Sequence, residues 1–251
     1  MMRTSNPALG EQTFTGLPRS YDAANRMSIN GTINKTGILL VLAIISAAFT
    51  WMQFVSTGSA ATVAPWMMLG LIGGLIAALV TIFKKEWSAV TAPIYALSEG
   101  LVLGGISAFF ETRYPGIAIE AVALTFGTLF MLLFLYRTRV IQATEKFRIG
   151  VFAATGAIAL FYLLQMVFSL FHVSVFSSVY GSGLIGIGFS VFVVIIAALN
   201  LILDFDFIER GAIYGAPKYM EWYGGFSLMV TLIWLYLEIL RLLSKLQDRR
   251  S

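Results

Sequence analysis

The chain reads as an all-α, polytopic membrane protein, and three observations predict that class. Mean hydropathy is +0.83 and 58% of residues are hydrophobic. Only 12% are charged, where soluble domains carry about a quarter. Two stretches, Thr36 to Phe83 and Ile149 to Leu203, hold no charged residue if His172 is neutral, and each is long enough for two spans of roughly 20 residues. These runs are continuous, whereas a β-barrel alternates in segments of about 10 residues.

Taken in order, residues 1–35 form a polar tail rich in Asn, Gly, Ser, Thr and Arg, expected to be disordered. It has no apolar core ahead of a small-residue cleavage site, so no signal peptide is expected. Residues 36–244 hold seven apolar segments: Gly37–Val55, Ala61–Phe83, Ser88–Phe110, Ile117–Tyr136, Gly150–Phe171, Ser182–Leu203 and Tyr223–Leu243. Ser56-Thr57-Gly58-Ser59 and Lys84-Lys85-Glu86 read as tight turns between them. Residues 245–251 read as a short basic tail.

Basic residues orient the spans. The N-terminal tail and the loops after the second, fourth and sixth segments hold four, two, four and two Lys/Arg. The loops after the first, third and fifth hold only Arg113, which predicts a cytoplasmic N-terminus. Arg241, Lys245, Arg249 and Arg250 would then lie outside if the seventh segment crosses. A full crossing is expected because Tyr223–Leu237 is uncharged and Glu238 and Arg241, at i,i+3, can neutralise each other. A re-entrant seventh segment is the alternative.

Gly70-x-x-x-Gly74 and Gly100-x-x-x-Gly104 have the spacing that lets membrane helices approach closely, read here as general bundle packing. Gly181, Gly183, Gly186 and Gly188 make the entry to the sixth segment small. With no cysteine and one histidine, disulfides, thiolate metal sites and His-rich metal sites are excluded, and no cofactor is expected. The net charge of +4 reflects topology control and not nucleic-acid binding. An enzyme is not expected: Ser182 in Gly181-Ser182-Gly183 would need a base on a neighbouring helix, and His172 precedes it by ten residues across a loop. No span core carries a lysine for a retinal Schiff base.

The acids carry the functional reading, because ionisable groups at bilayer depth mark ion or proton paths by default. Asp204, at the end of the sixth segment, shares a helical face with Asn200 and Ala197, and no base stands at i±3 or i±4. Asp206 lies about 200° away and has Arg210 at i+4 for an ion pair. Ser227, Thr231, Trp234 and Glu238 form one stripe of the seventh segment. Glu221, just before it, lies at the level of Asp204, and two carboxylates brought together there could not both ionise easily. Glu99 falls mid-span and must stay neutral, pair across helices or face a wet cavity. Glu120 is interfacial.

Asn200-Leu-Ile-Leu-Asp204-Phe-Asp206-Phe-Ile208 and Trp234-Leu-Tyr-Leu-Glu-Ile-Leu-Arg241-Leu-Leu243 resemble the Bax inhibitor/YccA family, in particular a bacterial branch. The resemblance, which covers nearly everything after the tail, implies a seven-helix bundle whose last helix is central. It also implies a pH-gated calcium leak latched by two aspartates, one on each of the last two helices. Asp204 fits the first. Counting back from Arg241, the second falls at Thr231, a neutral hydroxyl, so the two-aspartate latch does not carry over. Either Asp204 has another acidic partner, Glu221 or Glu238, with Glu221 favoured by depth, or it acts with Thr231 as hydrogen-bond donor. Asp204 is also the best candidate for a transient cation site, since hard oxygen ligands suit Ca²⁺. A second implication is a non-conducting regulator, in which the N-terminal tail contacts a membrane protease or stress-response partner. Partners therefore comprise the bilayer, cations or protons, and that protease; the setting implied is a bacterial inner membrane.

Overall fold

The fold comes from a computed structural model, which describes residues 25–171, 179 and 181–250. Among them are seven helices long and apolar enough to cross a membrane. They are α1 (Ile29–Thr57), α2 (Ala60–Phe83), α3 (Ser88–Arg113), α4 (Ile117–Arg137), α5 (Glu145–Leu170), α6 (Leu184–Ile213) and α7 (Met220–Arg250). The chain is an all-α integral membrane protein. Most of the expected tail, and His172, lie outside the described residues.

Caps set the helix ends where hydropathy could not. Ser28 opens α1 in extended conformation, its hydroxyl accepting the Gly31 N–H at 3.0 Å. Gly58, with φ 62°, closes the helix by donating its N–H to Phe54 O at 2.8 Å. Ser59 caps α2 and Thr144 caps α5. Glu111, near the end of α3, accepts the N–H groups of Gly116 (2.6 Å) and Ala118 (3.1 Å), supplying the start of α4 with its acceptor. Several expected boundaries shift, among them the two ends of the helical region and the end of α6, which runs to Ile213. α1 begins at Ile29, inside the expected tail, and α7 runs to Arg250, so residues 245–250 are helix. Hydropathy marks the apolar middle of a helix, while the polar turns beyond it continue because their backbone groups are already paired. α7 is one uninterrupted helix, with no break that would return the chain as a re-entrant segment.

By contacts the chain divides into two units. One holds residues 25–118 and 204–230, the other 119–203 and 231–250 among the described residues. In the first, α3 packs against α1 on one face and α2 on another, and glycines set both approaches. A Cβ on Gly100 would strike Ala43 O and Ser46 Oγ of α1, and one on Gly104 would strike Ala47 O and Thr50 Oγ1. On the other face, Gly70 of α2 lies against Ser98 O, and Gly105 of α3 against Met67 Sδ. Lipid tails are as apolar as these helices, so close backbone contact stands in for the hydrophobic drive available in water. Phe54, Val63 and Ala108 cluster there with Trp51 and Met67. In the second unit, Ile158 of α5 packs with Val193 and Ile196 of α6, joined by Tyr162, Phe189 and Trp234.

α7 is the most enclosed helix: 61% of its most apolar stretch is buried, against 11–44% in the other six. It contributes Tyr223 and Phe226 to one unit and Leu235 and Leu240 to the other, all four essentially inaccessible.

Gly104→Leu is expected to destabilise the protein by about 1–3 kcal/mol through overpacking against α1. Gly127→Leu on α4, where a Cβ meets nothing within 4 Å, should leave stability unchanged. Thermal unfolding in detergent micelles distinguishes the two.

Candidate functional site

Asp204 is 1% exposed and Ser227 is fully buried. Ser227, two turns into α7, donates its hydroxyl to Asp204 Oδ1 at 2.9 Å. The contact ties the end of α6 to α7 inside one unit. An ionised carboxylate can only accept hydrogen bonds, whereas a protonated one can also donate. A change of protonation at Asp204 therefore changes what this contact can be.

The structure distributes the other acids among separate partners. Glu221, 1% exposed, accepts from Ser28 N–H at 3.1 Å and from Ser28 Oγ at 2.9 Å. Its ion pair is with Lys218 Nζ at 3.4 Å. Glu221 thus joins its Oε1 to Ser28, at the N-cap of α1, and to Lys218, and no contact with Asp204 is among these. Glu238, also expected as a possible partner, is 2% exposed and binds elsewhere. Tyr162 Oη donates to its Oε1 at 2.9 Å, while Arg241 Nη1 lies 3.0 Å from Oε1 and 3.1 Å from Oε2. Arg241 Nη1 also donates to Tyr162 Oη at 2.8 Å, with its guanidinium 5.4 Å from the ring centroid. The i,i+3 neutralisation expected of Glu238 and Arg241 is present, with tyrosine as a third member.

Asp206 forms the expected pair with Arg210 at 3.0 Å, its side chain 19% exposed. Glu99 is half-buried, hydrogen-bonded to Tyr95 one turn back on α3, and its carboxyl lies against Gly74 of α2. A partner on its own helix was not among the three arrangements expected for it. Asn200 is buried, its amide donating to Thr155 Oγ1 and to Ile196 O, each at 2.8 Å. Thr231 is buried on α7, one turn beyond Ser227. Glu120 is exposed in the first turn of α4. Among the described residues no three His, Asp or Glu side chains converge to hold a metal.

Hydropathy reading missed several partners. Lys245, expected in an exposed tail, is 6% exposed, with Nζ donating to Val179 O (2.8 Å), Gly186 O (3.0 Å) and Ser190 Oγ (2.9 Å). Spacing offered one signal, since Lys245 continues the Glu238–Arg241 side of α7 at i+7 and i+4. Ser28 and Tyr162 carried none, being common residues whose partners lie 193 and 76 positions away. Outside the spans, burial and then the Glu86 carboxylate raise the Tyr219 hydroxyl above its usual pKa.

A family model described as Bax inhibitor 1 like matches residues 6–248, nearly the whole chain. No curated protein and no solved structure matches.

The Glu238 triad sets an asymmetry. Arg241→Gln leaves a buried carboxylate without its cation and is expected to cost about 3 kcal/mol. Glu238→Gln leaves an arginine side chain that is 39% exposed and can hydrate. That second change should cost about 1 kcal/mol. Equal losses for the two variants in detergent unfolding would contradict this arrangement.

Proposed function

The chain belongs to the Bax inhibitor 1 like family, and we propose that it is a cation leak channel, calcium being the foremost ion, gated by a proton on Asp204. The observation that supports this reading is the buried Asp204–Ser227 contact between α6 and α7. Ionised Asp204 holds the Ser227 hydroxyl as an acceptor. Once protonated, it carries an O–H of its own, the hydroxyl is free to turn back to its own helix, and the two helices lose a charge-assisted bond. Thr231, one turn further along α7, carries a hydroxyl where the resemblance implies a second carboxylate. The gate of this chain is thus a carboxylate–hydroxyl contact. Oxygen ligands favour Ca²⁺ among the candidate ions. The protein acts by passing ions across a bacterial inner membrane under stress, without catalysing a reaction, and its N-terminus faces the cytoplasm.

Ion flux into proteoliposomes across pH tests the gate. Wild-type flux is expected to vary with pH, and Asp204→Asn, which cannot exchange a proton, to give the same flux at every pH. Asp204→Asn flux that tracks wild type throughout removes Asp204 from the mechanism. A wild type that passes no ion at any pH would transfer the chain to the other reading, a non-conducting regulator of a membrane protease or stress-response partner.

Orientation has its own test, helped by the absence of native cysteine. A membrane-impermeant thiol reagent should label Ser59→Cys, between α1 and α2, in intact cells. Thr138→Cys, between α4 and α5, should react only after permeabilisation. The reverse pattern inverts the topology.

A further inference from the structure

The first N–H groups of a helix have no partner within it. α1 meets that need with a borrowed side chain. Ser28 Oγ accepts the Gly31 N–H, which is the first half of a capping box. The second half is ordinarily a Glu or Gln three residues after the cap, reaching back to the cap residue's own N–H. Here that position is Gly31. The missing carboxylate comes from Glu221, 193 residues away in the first turn of α7, which takes both the N–H and the hydroxyl of Ser28. Gly31 makes the room: a Cβ there would occupy the place of the Glu221 carboxyl.

Other contacts converge on the same turn. Met27 N–H donates to Ala216 O at 2.7 Å and Lys218 N–H to Asn25 O at 2.9 Å, flanking an antiparallel bridge between Arg26 and Pro217. Lys35 of α1 lies 5.1 Å from the Trp222 ring, and Lys85, just before α3, lies 5.9 Å from the Tyr223 ring. Ser88 Oγ donates to Tyr219 O at 2.9 Å. Ser227 follows six residues after Glu221 on the same rigid helix, about 9 Å along its axis at 1.5 Å per residue.

We propose that Glu221 is a positioning residue: it completes a capping box in trans, locks the start of α1 to the start of α7, and so sets the geometry of the Asp204–Ser227 contact. The inference rests on the proposed function only in taking that contact as the gate. Two states differ at this lock. With the box closed, the first turns of α7 are held in register against Ser28 and Asn25–Met27. With it open, Ser28 N–H turns to water and the segment carrying Ser227 is released.

Hydrogen exchange of the 224–230 amides in the full-length protein tests the lock directly. Glu221→Ala is expected to accelerate it by about tenfold or more, the factor that one lost hydrogen bond to a charged group converts to. Gly31→Glu combined with Glu221→Ala rebuilds the box within α1. It should restore protection of the first turn of α1 while 224–230 stays fast, an outcome that loss of a cap alone would not produce. Unchanged protection of 224–230 in Glu221→Ala overturns the inference.

If Glu221→Ala does not fold, a disulfide gives the same answer from the closed side. Arg26 and Pro217 form a non-hydrogen-bonded antiparallel pair, for which the Cα separation is about 4.5 Å, within disulfide range. Oxidised Arg26→Cys/Pro217→Cys should protect 224–230 more than its reduced form and pass less ion. Equal protection in the two forms, with complete cross-linking, overturns the inference. Slower exchange in the oxidised form with no ion flux in the wild type supports the lock and overturns the leak reading instead.

Discussion

A polar side chain between apolar helices has no water to turn to, so it must find its hydrogen-bond partners within the protein, and this requirement organises the structure. The buried charges of α6 and α7 meet it differently. Glu238 uses a cation one turn away and a tyrosine of α5. Lys245 spreads its ammonium over two carbonyls and a serine hydroxyl. Glu221 joins the N-terminus of α1, where backbone N–H groups and the helix dipole favour a negative charge. Asp204 receives a neutral hydroxyl. Of these four arrangements, two hold a carboxylate with a nearby cation and one holds a lysine with neutral acceptors. Asp204 is assigned to gating because its contact with Ser227 joins α6 to α7 through a group that can gain or lose a proton.

The same requirement accounts for the glycines. Polar groups at a helix contact engage one another only when backbones come close, and α3 comes close to α1 and α2 because Gly100 and Gly104, and opposite them Gly70, carry no side chain. The threonines and serines nearby turn their hydroxyls inward, as where Thr81 Oγ1 bonds with the Ala77 carbonyl at 2.7 Å and with the Thr91 hydroxyl at 2.6 Å. Small residues and self-satisfied hydroxyls thus replace the large apolar interlock of a soluble core.

Much of this was legible from residue order. The seven spans were, because mean hydropathy over about 20 residues is a local sum and the bilayer sets its length scale. So were Asp206–Arg210 and Glu238–Arg241, since partners at i+4 or i+3 on one helix must be neighbours whatever the fold does. The residue set around Asp204 was only half legible. Helical spacing placed Ser227 on the functional stripe of α7 without showing that it would meet Asp204. Glu221 was favoured over Glu238 as an acidic partner because its depth matched, and depth leaves open the direction in which a carboxyl points.

By itself, the order of residues determined that this is an all-α membrane protein of seven spans, which helices carry acids, and which of those acids have a cation on their own helix. These follow from periodicity and composition along one chain. Tertiary structure alone decided that Glu221 caps α1, that Tyr162 completes the Glu238–Arg241 pair, that Lys245 is buried, and that Asp204 faces Ser227. Each of these depends on how one helix is rotated and shifted against another. That placement is set by the summed packing of small residues over whole helix faces, and no local pattern records it.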